Sequence, residues 1–246
     1  MIEVYPVVDY ASRRYMDEYA HKTEMDAWRI FRILSEFVDG FETMTHIGPS
    51  VSFFGSARTS RDSFYYQLAT EVAKKIAEKG FGIITGGGPG IMEAANKGAQ
   101  MARGRSCGIS VNLPYEEIKN PYIDHKYSLR FRYFFVRKVM FIRYAQAFVF
   151  LPGGMGTFDE LFEALTLMQT KKINPFPIFL MGKSYWTGLL AWLRENPFKE
   201  GYILEEDFSR MRVTDDPDFV AEEIEKHFKK VGEITTFELG SERNNH

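Results

Sequence analysis

The period of the apolar positions changes along the chain and divides it. Between residues 12 and 44 there is no proline, and no glycine before Gly40. Trp28, Phe31, Ile33, Leu34 and Phe37 recur there at roughly helical spacing. That spacing predicts an amphipathic helix whose apolar stripe must cover either the body of the protein or a partner subunit. From Val51 onward, short apolar runs alternate with helical patterns. VSFFGSA predicts a strand ending in a glycine turn. Residues 62–79 predict a helix, with Gly80 where a C-cap glycine belongs. FGIITGGGPG is a second strand running into glycines, IMEAANKGAQMAR its helix and SCGISVN a third strand. After a loop holding Pro114 and Pro121, residues 131–145 predict a helix, AFVFLPGG a strand and TFDELFEALTLMQ a helix. FPIFLMG and SYWTGLLAWLRE predict a further strand and helix. A short strand around 211–213 and a helix over 217–230 follow. The tail SERNNH is expected to be disordered.

Strands that are apolar on both faces and alternate with helices imply a parallel sheet between helix layers. The expected fold is α/β: a Rossmann-like doubly wound parallel sheet with helices on both faces, plus an N-terminal helical extension. Residues 1–47 are assigned to the extension, 48–232 to the Rossmann-like domain and 233–246 to the tail. In such sheets ligands bind beyond the carboxyl ends of the strands. The glycine turns FGSAR, TGGGPG and LPGGMGT all lie there, so they should converge on one crevice.

Composition narrows the function classes. A formal net charge of −2 gives no bulk attraction to nucleic acid or anionic membrane. Cys107 is the only cysteine, which rules out an intramolecular disulfide. The five histidines are scattered, so no metal site is expected. The first residues, MIEVYPVVDYASRR, have no signal-peptide core, and no apolar run approaches the ~20 residues of a membrane span. A cytoplasmic protein is expected.

The three turns differ in what they offer. TGGGPG fails the dinucleotide pattern that starts at Gly86, because Ile91 stands where the third glycine belongs and no acidic residue follows at the required distance. It serves as a tight strand-to-helix turn, and its backbone at Gly87 and Gly88 is also a candidate ligand contact. MGKS at 181–184 is not a P-loop, since Pro177 occupies the leading glycine position. LPGGMGTFDE is the strongest signal. Gly153, Gly154 and Gly156 let backbone approach a ligand, and a helix N-terminus directs free N–H groups and a positive dipole end into the crevice. That is an anion site. On spacing alone, Thr157 and Glu160 form a capping box, and the dipole would keep Glu160 ionised. The helical pattern FRYFFVRKVMFIRYAQ is apolar around nearly its whole circumference and should be buried. Arg137 and Lys138 interrupt it. They either pair with Asp159, Glu160 or Glu163, snorkel to the surface, or hold a phosphate or a catalytic carboxylate.

These residues resemble the signature of the LOG (Lonely Guy) family, cytokinin riboside 5′-monophosphate phosphoribohydrolases also described as lysine-decarboxylase-like. The family's PGGxGTxxE motif stands here from Pro152 to Glu160, its Arg-Lys helix at Arg137 and Lys138, and its triple-glycine turn at 86–88. The resemblance covers roughly residues 48–230. The N-terminal helix is similar to that of longer bacterial members, which include more general nucleotide 5′-monophosphate nucleosidases. The resemblance implies hydrolysis of the N-glycosidic bond of a nucleoside 5′-monophosphate to free base and ribose 5-phosphate. No metal or organic cofactor is implied. It places the 5′-phosphate on Gly153, Gly154, Gly156 and Thr157; Gly55, Ser56, Gly87, Gly88, Met155 and Thr166 are further candidate substrate contacts. Glu160 and Arg137 are implied as catalytic and Lys138 as a substrate contact. A homodimer or higher homo-oligomer is also implied, with no nucleic-acid or membrane partner. The first turn, FFGSARTS, and the segment MQTKKINPFP depart from short plant-like members, so a strict cytokinin role is not assumed. A non-catalytic nucleotide or cofactor carrier of the same fold is the alternative.

Overall fold

The computed structural model describes residues 13–112 and 120–232, with side chains from residue 27 onward. The expected tail, SERNNH included, and the loop segment around Pro114 lie outside the described residues. The long helix α1 (Arg13–Met44) leads into β1 (Ser50–Phe54), α2 (Phe64–Glu78), β2 (Gly82–Thr85), α3 (Ile91–Met101) and β3 (Ser106–Val111). Then come β4 (Ser128–Phe131), α4 (Phe134–Arg143), β5 (Ala145–Phe150), α5 (Met155–Gln169), β6 (Ile178–Met181) and α6 (Lys183–Leu193). A π-helical turn (Arg194–Phe198), a short helix α7 (Glu205–Ser209), β7 (Met211–Thr214) and α8 (Pro217–Val231) complete the described chain. Gly80 has φ +90° just past α2, the left-handed position expected of it.

The strands form one seven-stranded sheet in the order β4-β3-β2-β1-β5-β6-β7. Every pairing is parallel. The order reverses direction between β1 and β5, where a crevice opens above the carboxyl ends of these two strands. Side chains of the central strands alternate between two cores. Val51, Phe53, Ile83, Val149 and Phe179 pack under α2, α3 and α8. Phe54, Ile84, Phe148, Phe150 and Leu180 pack against α4, α5 and the end of α1. The sheet is thus doubly wound, and both faces of its strands read as apolar for that reason. Among the described residues no helix is long and apolar enough to cross a membrane.

Three expectations need correction. The helix expected over 131–145 is preceded by an edge strand, β4, in which Leu129 and Phe131 are buried while Ser128 and Arg130 are exposed. Four alternating residues are too few to stand out beside a longer apolar helix. That helix, α4, is not buried all round: Phe134 and Phe135 are 51% and 47% exposed. The stripe of α1 also divides. Ile33 and Phe37 pack on the core, whereas Trp28, Phe31 and Leu34 are exposed.

Candidate active site

The PGGMGT turn starts its helix earlier than spacing suggests. Gly154 is the N-cap of α5, and no side chain caps it. Thr157 N–H and Phe158 N–H both donate to Gly154 O, at 2.9 and 3.1 Å. Thr157 therefore stands inside the first turn and Glu160 in the second, so the expected capping box does not form. With no side-chain cap, the first-turn N–H groups of Met155 and Gly156 have no carbonyl a turn behind them, and both residues line the crevice. Glycine serves two purposes here. A Cβ on Gly153 would lie 2.0 Å from Thr157 Oγ1, so the fold itself forbids a side chain there. A Cβ on Gly154 or Gly156 would meet nothing within 4 Å. The chain's own packing does not require glycine at those two positions.

The three glycine turns do converge. Ser56 N–H donates to Pro152 O and Ile91 N–H to Ser56 O, both at 3.0 Å. Together they frame a cleft of about 600 Å³ lined by Gly55, Ser56, Arg58, Gly86, Met92, Arg137, Phe141, residues 154–158 and Glu160. Helix α4 is fixed beside it. The Glu36 carboxylate on α1 accepts from the backbone N–H of Arg132 (2.8 Å) and Tyr133 (3.2 Å) at its start. Ser52 Oγ donates to Phe141 O at 2.9 Å near its end.

Glu160 is 5% exposed. Burial pushes its carboxyl up to about 7, with Lys138 and Arg137 opposing and Glu163 and Asp159 reinforcing the shift. The dipole expected to keep Glu160 ionised acts within the first turn. A residue in the second turn is governed by desolvation instead. Arg137 lies over the rings of Phe134 and Phe141, 4.9 and 5.5 Å from their centroids. Its buried Nε has no hydrogen-bond partner. Burial lowers its pKa, opposed by Glu160 and Asp159. Lys138 is engaged differently: its Nζ lies 2.8 Å from Asp159, 2.8 Å from Glu163 and 3.5 Å from Glu160. The pairing foreseen for the two cations thus holds for Lys138, while Arg137 turns into the cleft.

Of the residues picked out from sequence, the cleft brings together Gly55, Ser56, Arg137, Gly154, Met155, Gly156, Thr157 and Glu160. Gly153 stands directly behind Thr157. Lys138 and Thr166 line an adjoining open groove with Asp159, Phe162 and Glu163. The Thr166 hydroxyl donates to Phe162 O of its own helix, at 2.7 Å. Gly87 and Gly88 are buried behind Gly86. Gly87 N–H donates to Thr85 Oγ1, and Gly88 O accepts from Asn120 Nδ2. Gly86, from the triple-glycine turn, also lines the cleft, as do Arg58, Met92, Phe141 and Phe158, which were not among the candidate contacts. Of these four, only Arg58 carried a legible signal, a cation inside a glycine turn.

The sequence profile of a family described as "Possible lysine decarboxylase" matches residues 92–224, more than half of the chain. The chain belongs to this family. Among curated LOG-type relatives, the cytokinin riboside 5′-monophosphate phosphoribohydrolase of Mycobacterium tuberculosis is 30% identical over 155 residues, covering 61% of this chain and 79% of that one. The enzyme of the same name from Rhodococcoides fascians is 29% identical over 171 residues, covering 68% and 84%. A "probable" enzyme of that name from rice (Oryza sativa subsp. japonica) is 27% identical over 157 residues, and the match spans 62% of each chain. Among solved structures, the molybdenum cofactor carrier protein of Chlamydomonas reinhardtii superposes with a TM-score of 0.53 at 23% identity, covering 74% of this chain and 99% of that one. The molybdenum cofactor binding protein of Rippkaea orientalis gives 0.52 at 20%, covering 72% and 94%. These structural likenesses show the shared fold.

Proposed function

We propose that this LOG-family chain is a nucleotide nucleosidase. It hydrolyses the N-glycosidic bond of nucleoside 5′-monophosphates, AMP or N6-substituted AMP such as cytokinin riboside monophosphates, to free base and ribose 5-phosphate. One observation carries the reading: a buried carboxyl, Glu160, shares a cleft with an uncapped helix N-terminus whose Gly154 and Gly156 leave open space. The helix start takes the 5′-phosphate, and that anchorage holds the sugar in place. The Glu160 carboxylate, one residue into the second turn, lies toward the ribose and stabilises the positive charge that develops there, as carboxylates do in glycosidases. Water bonds to C1′ and gives a proton to Glu160. The C1′–N electron pair leaves with the base, which is protonated from solvent. A carboxyl with a pKa near 7 suits this exchange. Arg137, held over the Phe134 and Phe141 rings at the cleft wall, orients Glu160 by its charge and donates to substrate oxygens through its guanidinium N–H edge.

The reading extends to a cytoplasmic homodimer; the exposed apolar residues Trp28, Phe31, Leu34 and Val38 on α1 support the dimer. The test is base release from AMP, other monophosphates and isopentenyladenosine monophosphate. Free base should appear from at least one, and Glu160→Ala should lower the rate by a factor of about 10² or more. Absence of base from every substrate sinks the proposal.

A further inference from the structure

The cleft contains a cation that the catalytic scheme leaves unused. Arg58 is exposed at the cleft wall. Among the described residues its guanidinium makes no hydrogen bond or ion pair; only its backbone N–H is engaged, donating to Ser56 Oγ at 3.1 Å. Neighbouring cations are committed. Lys138 is shared among Asp159, Glu160 and Glu163, and Arg61 is held by Glu93 at 2.8 Å. Arg137 is stacked over Phe134 and Phe141 and faces Glu160.

The backbone that carries Arg58 is anchored to the glycine turn. Ser56 bonds to Pro152 through its N–H and to Ile91 through its carbonyl. A Cβ on Gly153 would come within 3.0 Å of Ser56 N, and one on Gly90 within 2.4 Å of Ser56 O. The β1 turn and the start of α5 are therefore in backbone contact, and Arg58 projects from a braced loop.

Charge arithmetic gives this position a use. A phosphate monoester carries about −1.5 to −2 charges at pH 7. A helix N-terminus offers the equivalent of about +0.5. About one to one and a half units of negative charge are left to neutralise, and a guanidinium can meet two phosphate oxygens at once. We propose that Arg58 is a specificity-determining residue that pairs with the substrate's 5′-phosphate dianion and selects nucleotides over nucleosides. The proposal rests on the nucleotide reading above.

The test uses the full chain as wild type, Arg58→Ala and Arg58→Lys. Two quantities are measured: ribose 5-phosphate binding by calorimetry, and kcat and KM for AMP from pH 5 to 8, with adenosine as the phosphate-free control. Arg58→Ala should raise the ribose 5-phosphate Kd and the AMP KM by about tenfold or more, with kcat far less affected. Adenosine turnover should be unchanged. Wild-type KM should fall as pH rises through about 6, where the phosphate becomes a dianion, and that fall should shrink in Arg58→Ala. Arg58→Lys keeps the charge and should recover part of the loss. It also serves as the measured variant if Arg58→Ala loses its melting transition, and then a Kd still weaker than wild type by several-fold supports the pairing. A ribose 5-phosphate Kd within about twofold of wild type in the folded variant overturns the proposal. So does a loss confined to one base with ribose 5-phosphate binding intact, which would place Arg58 against the base. The two readings fail separately. Wild type that binds ribose 5-phosphate through Arg58 but releases no base ends the nucleosidase reading alone. Normal AMP turnover and KM in Arg58→Ala ends this one alone.

Discussion

Lys138 Nζ lies 3.5 Å from Glu160 Oε1, but 2.8 Å from the carboxylates of both Asp159 and Glu163. Lys138 is itself partly buried. That burial opposes its charge, yet its hydrogen bonds to Asp159 and Glu163 outweigh the penalty and raise its pKa. The cation best placed to hold Glu160 ionised is divided among three acids. Desolvation therefore governs Glu160, and its carboxyl titrates near neutrality.

A pH-dependent stability follows. In the unfolded chain the Glu160 carboxyl has its ordinary value of 4.5, and in the fold it is pushed up to about 7. Between these values the folded state binds the proton and the unfolded state does not, so stability falls as pH rises across that window. The loss is complete above about 7 and absent below 4.5. Its size is about 3 kcal/mol at most. Glu160→Gln removes this titration, so its stability relative to wild type should improve from pH 5 to pH 8 in denaturant melts. A flat difference across that range would show that Glu160 titrates normally.

The glycines of the turn should separate by role. Gly153→Ala places a methyl against Thr157 Oγ1 and should cost about 1–3 kcal/mol of stability. Gly154 has φ −97°, open to any residue, and Gly156 lies in the helix; neither would meet a neighbour. Gly156→Ala should therefore melt at or above the wild-type temperature, because alanine restricts the unfolded chain and favours helix. Gly154→Ala, at the N-cap where glycine is preferred, should melt within a few degrees of wild type. Both should nevertheless lose AMP affinity. Thermal melts paired with calorimetry decide it, and wild-type affinity in both variants would remove the phosphate from this turn.

The Glu36 contact predicts that the N-terminal helix supports the site. Glu36→Ala leaves the Arg132 and Tyr133 amides to water and should cost about 1 kcal/mol. Hydrogen exchange should quicken over α4, and kcat/KM should fall with Arg137 less firmly held. Unchanged exchange there would mean that α1 does not brace α4.

Much of this was legible from residue order. The alternation of strands and helices, the parallel sheet and the meeting of three glycine turns follow from local periodicity and from the side on which such sheets open. A strand buried on both faces is apolar throughout, and a turn that must bend sharply carries glycine. The LOG resemblance, confirmed by the family match, also depended on short contiguous motifs.

What remained concealed depended on contacts between distant segments. Spacing assigned Thr157 and Glu160 to a capping box, because a capping motif looks the same whether the helix starts at 154 or 157. The hydrogen bonds from Thr157 and Phe158 N–H to Gly154 O put the N-cap at Gly154, and no side chain occupies the first-turn amides. Lys138 and Arg137 are neighbours in sequence, yet helical rotation sends one to a trio of acids and the other into the cleft. The charge of Glu160 was likewise a tertiary outcome: the local dipole argued for ionisation, and the desolvation imposed by surrounding elements overruled it. Motif and period are local properties, whereas burial and partnership belong to the assembled fold.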